Sequence, residues 1–151
     1  MKYILIPLSF LGIILLSFAV ERPERISRSL HPAEWSQVSV GSTTISVEVA
    51  DTPGKRTQGL SGRSALAEGT GMLFVFPEEG DWGFWMKDMH FPIDIIWADS
   101  GGDIITIVHD VSPTTYPNAF HPEEPRAKYV LEVPAGFAKK YGIVEGTQIE
   151  F

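Results

Sequence analysis

A chain of 151 residues suits one folded domain. Its net charge of −7, without any basic run, excludes nucleic acid as a partner, since nothing would displace counterions from phosphates. It has no cysteine, which excludes disulfide staples, thiolate metal sites and a lipid-modified cysteine anchor, so the fold rests on its apolar core alone.

Met1-Lys2 opens the chain, and no charge follows from Tyr3 to Val20. Ser17-x-Ala19 has the small-x-small pattern of a cleavage site. Residues 1–20 therefore read as a signal peptide or as an uncleaved N-terminal membrane anchor. The apolar run is long for the first and just long enough for the second. Cleavage near Val20 is the expectation. Either way the domain is exported, periplasmic or extracellular, and meets a membrane only through residues 3–20 if they are retained. Residues 21–36 are charged, contain prolines and lack an apolar period, as in a linker. The domain is assigned to 37–151.

Within it the hydrophobic period is mostly two. Val38-Ser-Val and Thr44–Val49 alternate on either side of Gly41-Ser42 and predict a hairpin. Met72–Phe76 is a continuous apolar run between Gly71 and Pro77, as in a central strand. Residues 82–88 alternate, with Trp82, Phe84 and Met86 on one face and Trp85 and Lys87 on the other. Asp94–Ala98 and Asp103–His109 flank Asp99-Ser-Gly-Gly102, a second hairpin. Lys128–Val133 and Thr147–Phe151 complete the strands. Short helical turns are expected at 53–59 behind Asp51-Thr52, at 64–69, and at 135–141 with Gly142 as the stop. No connection looks long enough for a full crossover helix, so antiparallel pairing should dominate. The predicted class is mainly β: one antiparallel β-sandwich or barrel-like domain with two or three short helical turns.

The chemistry-bearing residues gather in three places. Trp85, Lys87 and Asp94 mark the polar side of the aromatic stretch 82–97. Asp94 opens a strand after Pro92 and must reach water or find a cation. Arg56 and Arg63 sit on a glycine-rich loop, where two guanidiniums could grip an anion or tie the loop to Asp94 or Glu132. Glu132 is a candidate acid or base, or the partner of an arginine. The predicted contact brings Trp85, Lys87 and Asp94 together, with Arg56 or Arg63 beside Asp94. His31, His90, His109 and His121 are scattered, so no metal and no cofactor are expected. There is neither a P-loop nor a G-x-S-x-G elbow.

R-T-Q-G-L at 56–60, G-M-L-F-V-F at 71–76, F-W-M-K-D-M-H-F-P-I-D-I-I from 84, Y-V-L-E-V-P-A-G at 129–136 and G-I-V-E-G at 142–146 occur in that order. Together they resemble the domain-of-unknown-function family 192 over nearly all of 38–151. The resemblance implies a compact β-rich domain, often behind an export signal, with a jelly-roll-like sandwich and no assigned activity. The family pattern falls on Arg56, Gly59, Leu60, Met72, Phe76, Trp85, Met86, Lys87, Pro92, Asp94, Tyr129, Glu132 and Gly136. Members commonly carry Asn-Thr where this chain has Asp88-Met89.

The function expected from these residues is binding of a small molecule, glycan or peptide by a non-catalytic exported domain, through Arg56, Arg63, Trp85, Lys87, Asp94 and Glu132. Two alternatives stand beside it. One is a hydrolase-type enzyme using Asp94 or Glu132 with an arginine clamp. The other is a structural envelope module.

Overall fold

A computed structural model describes residues 36–151. The expected signal or anchor, and all of the expected linker except Ser36, lie outside the described residues. Ser36 itself opens the first strand.

β1 (Ser36–Val40) and β2 (Thr43–Ala50) form the expected hairpin, with Val38, Val40, Ile45 and Val47 buried. α1 (Pro53–Gln58) follows. The Thr52 hydroxyl accepts the Lys55 N–H, Pro53 occupies the first turn, and Gly59, at φ 46°, closes the helix. β3 (Thr70–Gly80) then lies parallel to β2. It is the one parallel pairing in a sheet whose other pairings are antiparallel, so the expected dominance of antiparallel pairing holds. The 51–69 connection is long enough to return the chain to the same end of the sheet, although its helix is short. No helix forms at 64–69, where the alanines and Leu66 are used in an irregular loop.

β4 (Phe84–Trp85) pairs with β7 (Ala119–Phe120) in a small separate ribbon. Residues 82–88 are thus not one continuous strand, although burial still alternates as the period predicts. β5 (Ile93–Ala98) and β6 (Ile104–Val111) form the second expected hairpin. A 3₁₀ turn over Pro113–Thr115 precedes β7. β8 (Ala127–Pro134), α2 (Phe137–Tyr141) and β9 (Ile149–Glu150) end the chain.

Seven strands join in one sheet of order β6-β5-β8-β3-β2-β1-β9. Register shifts in β5–β6 and between Val75 and Gly80 of β3 add local twist and curl the sheet. Its ends meet where Ile104 N donates to Thr147 O at 2.9 Å and Ile149 N donates to Gly102 O at 2.8 Å. Only glycine fits at 102, because a Cβ there would lie 2.5 Å from the Ile149 carbonyl oxygen. The mainly β class holds, and within it the barrel-like alternative: one curled sheet carries the fold.

The sheet has apolar side chains on both faces. The inner face packs Val40, Val47, Leu73, Ile96, Leu131 and Val133 beneath Phe137 and Ala138 of α2. The outer face packs Met72, Phe74, Ile95, Trp97 and Val130 beneath Leu60, Met86 and Met89. β5 is consequently buried on both sides. Ile95 and Ile96 point to opposite faces, and burying each contributes roughly 1.5–3 kcal/mol.

Candidate functional site

Glu48, Met72, Glu132 and Ile95 are register partners across β2, β3, β8 and β5. Partners in one row share a face, so two carboxyl groups stand on the outer face. Two irregular segments cover this row. One is the end of α1 with the loop through Arg63. The other runs from Asp81 to Phe91. They are tied to each other: Ser61 Oγ donates to Lys87 O at 2.9 Å, and Gly62 N donates to Asp88 O at 2.8 Å. Asp88 adopts φ 56° to present that carbonyl. Asp and Asn are the side chains that tolerate this conformation best.

Between the two segments lies a cleft of about 340 Å³. Phe74 and Phe76 of β3 and Trp82, Phe84 and Trp85 of the facing segment form its walls, Arg56 lies at its rim, and Glu132 lines it from the sheet. Phe76 and Trp82 stack at 4.1 Å between ring centroids, and Phe84 meets Phe74 edge-on at 4.8 Å. Gly59 is needed as well, since a Cβ there would press the Phe74 ring at 3.3 Å.

Glu132 is buried, and its Oε2 has no hydrogen-bond partner. Burial pushes its carboxyl up to about 8, against the opposing pull of the Arg63 guanidinium. It is therefore mainly protonated at neutral pH. Arg63 does not pair with it or with Asp94. It grips Glu48 bidentately, at 2.5 and 2.7 Å. That hydrogen bond holds the Glu48 carboxyl below its ordinary range and raises the Arg63 guanidinium.

Arg56 clamps the sheet to the helix. Its Nη1 donates to Asp51 O at 2.8 Å and Val75 O at 2.9 Å, and the guanidinium lies 5.3 Å from the Phe76 ring centroid. Its Nε and Nη2 have no protein acceptor among the described residues. Trp85 is 53% exposed, with Lys87 Nζ 5.9 Å from its ring and Tyr116 edge-on at 5.7 Å. The predicted neighbourhood of Trp85 and Lys87 is thus present.

Asp94 does not join them. It shares its strand face with Ile96 and Ala98, which is the inner face, opposite the cleft. Its carboxyl is fully buried and accepts the backbone N–H groups of Asp110 at 2.9 Å, Gly136 at 3.1 Å and Ala138 at 2.9 Å. Backbone donors at the start of α2 and the end of β6 satisfy the group that was expected to need an arginine. Of the six expected residues, Arg56, Trp85 and Glu132 line the cleft. Lys87 lies against the Trp85 ring, Arg63 pairs with Glu48, and Asp94 is turned to the opposite face of the sheet.

The cleft's aromatic walls were missed because Trp82 and Phe84 alternate as core residues do. Tyr116 was missed because it lies on an isolated turn. So was the contact of His121 Nδ1 with Asp81 Oδ1, 2.7 Å, beside Gly83 of the cleft. Among the described residues, no three His, Asp or Glu side chains converge as a metal site, and no helix is long and apolar enough to cross a membrane.

The DUF192 family model, described as "Uncharacterized ACR", matches residues 36–151. The chain belongs to the DUF192 family. Two solved structures are similar to it. One is a Sinorhizobium meliloti 1021 protein provisionally described as a transcription regulator, with 32% identity and a TM-score of 0.72, covering 80% of this chain and 97% of that one. The other is a protein of unknown function from Novosphingobium aromaticivorans DSM 12444, with 26% identity and a TM-score of 0.72, covering 82% of this chain and 91% of that one. No curated protein matches the chain. The DUF192 match begins at the first residue of β1.

Proposed function

We propose that this DUF192 domain is a non-catalytic exported module that binds a small ligand in the cleft above Glu132. The observation that supports it is the unpartnered, buried Oε2 of Glu132 inside an aromatic-walled hollow. Natural folds rarely leave such an atom unmet without a use for it, and a concave apolar site with a few convergent polar groups is the usual form of a ligand pocket. Trp85, exposed at the rim beside Tyr116, offers a ring face to whatever enters. Export is proposed from the uncharged stretch 3–20. A role on nucleic acid is not proposed, given the net charge of −7.

The test is a thermal-shift screen of metabolites, glycans and short peptides on the full chain in lipid nanodiscs. A ligand at a hundred times its dissociation constant adds about 2.7 kcal/mol to stability. A hit that is lost in Trp85→Ala supports the proposal. A screen without hits favours the structural module instead. The proton held by Glu132 favours one further reading, a hydrolase-type site with Glu132 as general acid. Turnover of a hit, abolished in Glu132→Gln, would replace binding by catalysis.

A further inference from the structure

We infer that the cleft takes an organic anion, a carboxylate carried on a flat apolar body, with the carboxylate placed between Glu132 and Arg56. The inference rests on the cleft reading above and names the ligand class.

The walls select the body. Phe74, Phe76, Trp82 and Phe84 present ring faces and edges, and the stacked Phe76–Trp82 pair makes one wall flat. A planar or ring-shaped apolar group fits such a wall better than a branched one.

The polar groups select the head. Among the described residues, Glu132 is the only carboxyl that lines the cleft. Burial keeps it protonated up to about pH 8, so at neutral pH it brings a hydrogen-bond donor and no charge. Arg56 brings a cation whose Nε and Nη2 have no protein acceptor among the described residues. Lys87, against the Trp85 ring, forms no ion pair among the described residues. The groups facing Glu132 from the elements around it leave this balance intact. Arg63 is neutralised by Glu48 of β2. The row neighbours on β3 and β5 are Met72 and Ile95. The opposite wall contributes Trp85 and Met89. The cleft therefore holds donors and positive charge inside a chain that is acidic overall. A carboxylate supplies the missing acceptor and counter-charge.

Proton linkage separates this ligand from its rivals. An anion favours the protonated form of Glu132, so its affinity should fall as pH rises through about 8, towards tenfold per pH unit. A cation would do the reverse, and a neutral ligand would follow neither slope.

The experiment compares phenylacetate, phenethylamine and 2-phenylethanol, which share a phenyl body and differ in head group. Each is titrated into the full chain in lipid nanodiscs between pH 6 and 10, with tryptophan fluorescence and calorimetry as readouts. The expected result is tightest binding by phenylacetate at pH 6–7, with loss above pH 8. In Glu132→Gln, which exchanges one neutral donor for another, phenylacetate should still bind and the loss above pH 8 should disappear. Equal binding of 2-phenylethanol, or phenethylamine binding that strengthens with pH, overturns the anion and leaves the ligand cleft standing. A phenylacetate profile that keeps its pH slope in Glu132→Gln also overturns the inference. Silence from all three compounds overturns it too, and the cleft reading then stands or falls by its own broader screen.

Discussion

Two carboxyl groups are buried in this sheet, on adjacent strands and opposite faces. Asp94, on the inner face, is met by three backbone N–H groups. Glu132, on the outer face, lines the cleft with an oxygen that nothing meets. Both are buried, so burial alone does not distinguish a structural acid from a functional one. Satisfaction does. A carboxyl whose acceptors are filled by the fold holds the fold together. One left with a spare oxygen beside a hollow is available to something else.

The comparison breaks first at Asp94. Asp94→Ala would strand the N–H groups of Asp110, Gly136 and Ala138 in a dry interior. The expected loss is roughly 3–5 kcal/mol, seen as a lower urea midpoint. Ligand binding in the surviving folded fraction should be unchanged. A loss below roughly 1 kcal/mol would mean that these donors find other partners, and the contrast with Glu132 would fail.

Glu132 should behave in the opposite way. Its folded-state pKa, about 8, lies above its ordinary value of 4.5, so the folded state holds the extra proton. The stability it contributes is fully present below that ordinary value and is lost as pH rises through about 8. The ceiling is roughly 1.4 kcal/mol per pH unit. Glu132→Gln removes this slope. Relative to the parent, the variant should gain about 2–3 kcal/mol between pH 5 and pH 8, short of the ceiling because water entering the cleft eases the charged form. Parallel melting curves for the two proteins across that range would refute the assignment.

Arg63 sharpens the contrast by a smaller amount. Arg63→Ala removes a partly exposed ion pair, for about 0.5–1 kcal/mol. It also removes the cation that opposes the rise at Glu132. The Glu132 carboxyl, followed by carbon NMR, should then titrate at still higher pH. A downward shift would contradict the predicted influence of Arg63.

The smallest stability effect belongs to Trp85. Its indole is more than half exposed, so Trp85→Ala should change stability by no more than about 0.5 kcal/mol. The loss should appear in ligand affinity instead. A large fall in melting temperature would make Trp85 a core residue and remove it from the site.

Much of this was legible in the sequence. Gly41-Ser42 and Asp99-Ser-Gly-Gly102 marked the two hairpins, because turn chemistry is local. Thr52, Pro53 and Gly59 marked α1, and Gly142 ended α2, because caps answer to neighbouring backbone groups. The period of two set Trp82, Phe84 and Met86 apart from Trp85 and Lys87. What the period does not carry is which face of the sheet will be covered by what. A strand repeats every two residues whether its neighbour is a helix, a loop or a cleft. The parallel pairing of β2 with β3 depends on where the 51–69 connection comes back. The fate of Asp94 depends on backbone N–H groups from residues 110, 136 and 138, distant in sequence and anonymous in it, since every residue but proline carries one. The cleft depends on two irregular segments, held together by Ser61, Gly62, Lys87 and Asp88, stopping short of Glu132. Side-chain alternation is a property of one strand and can be read along it. Partnership across the fold is a property of several, and only the tertiary structure decided it.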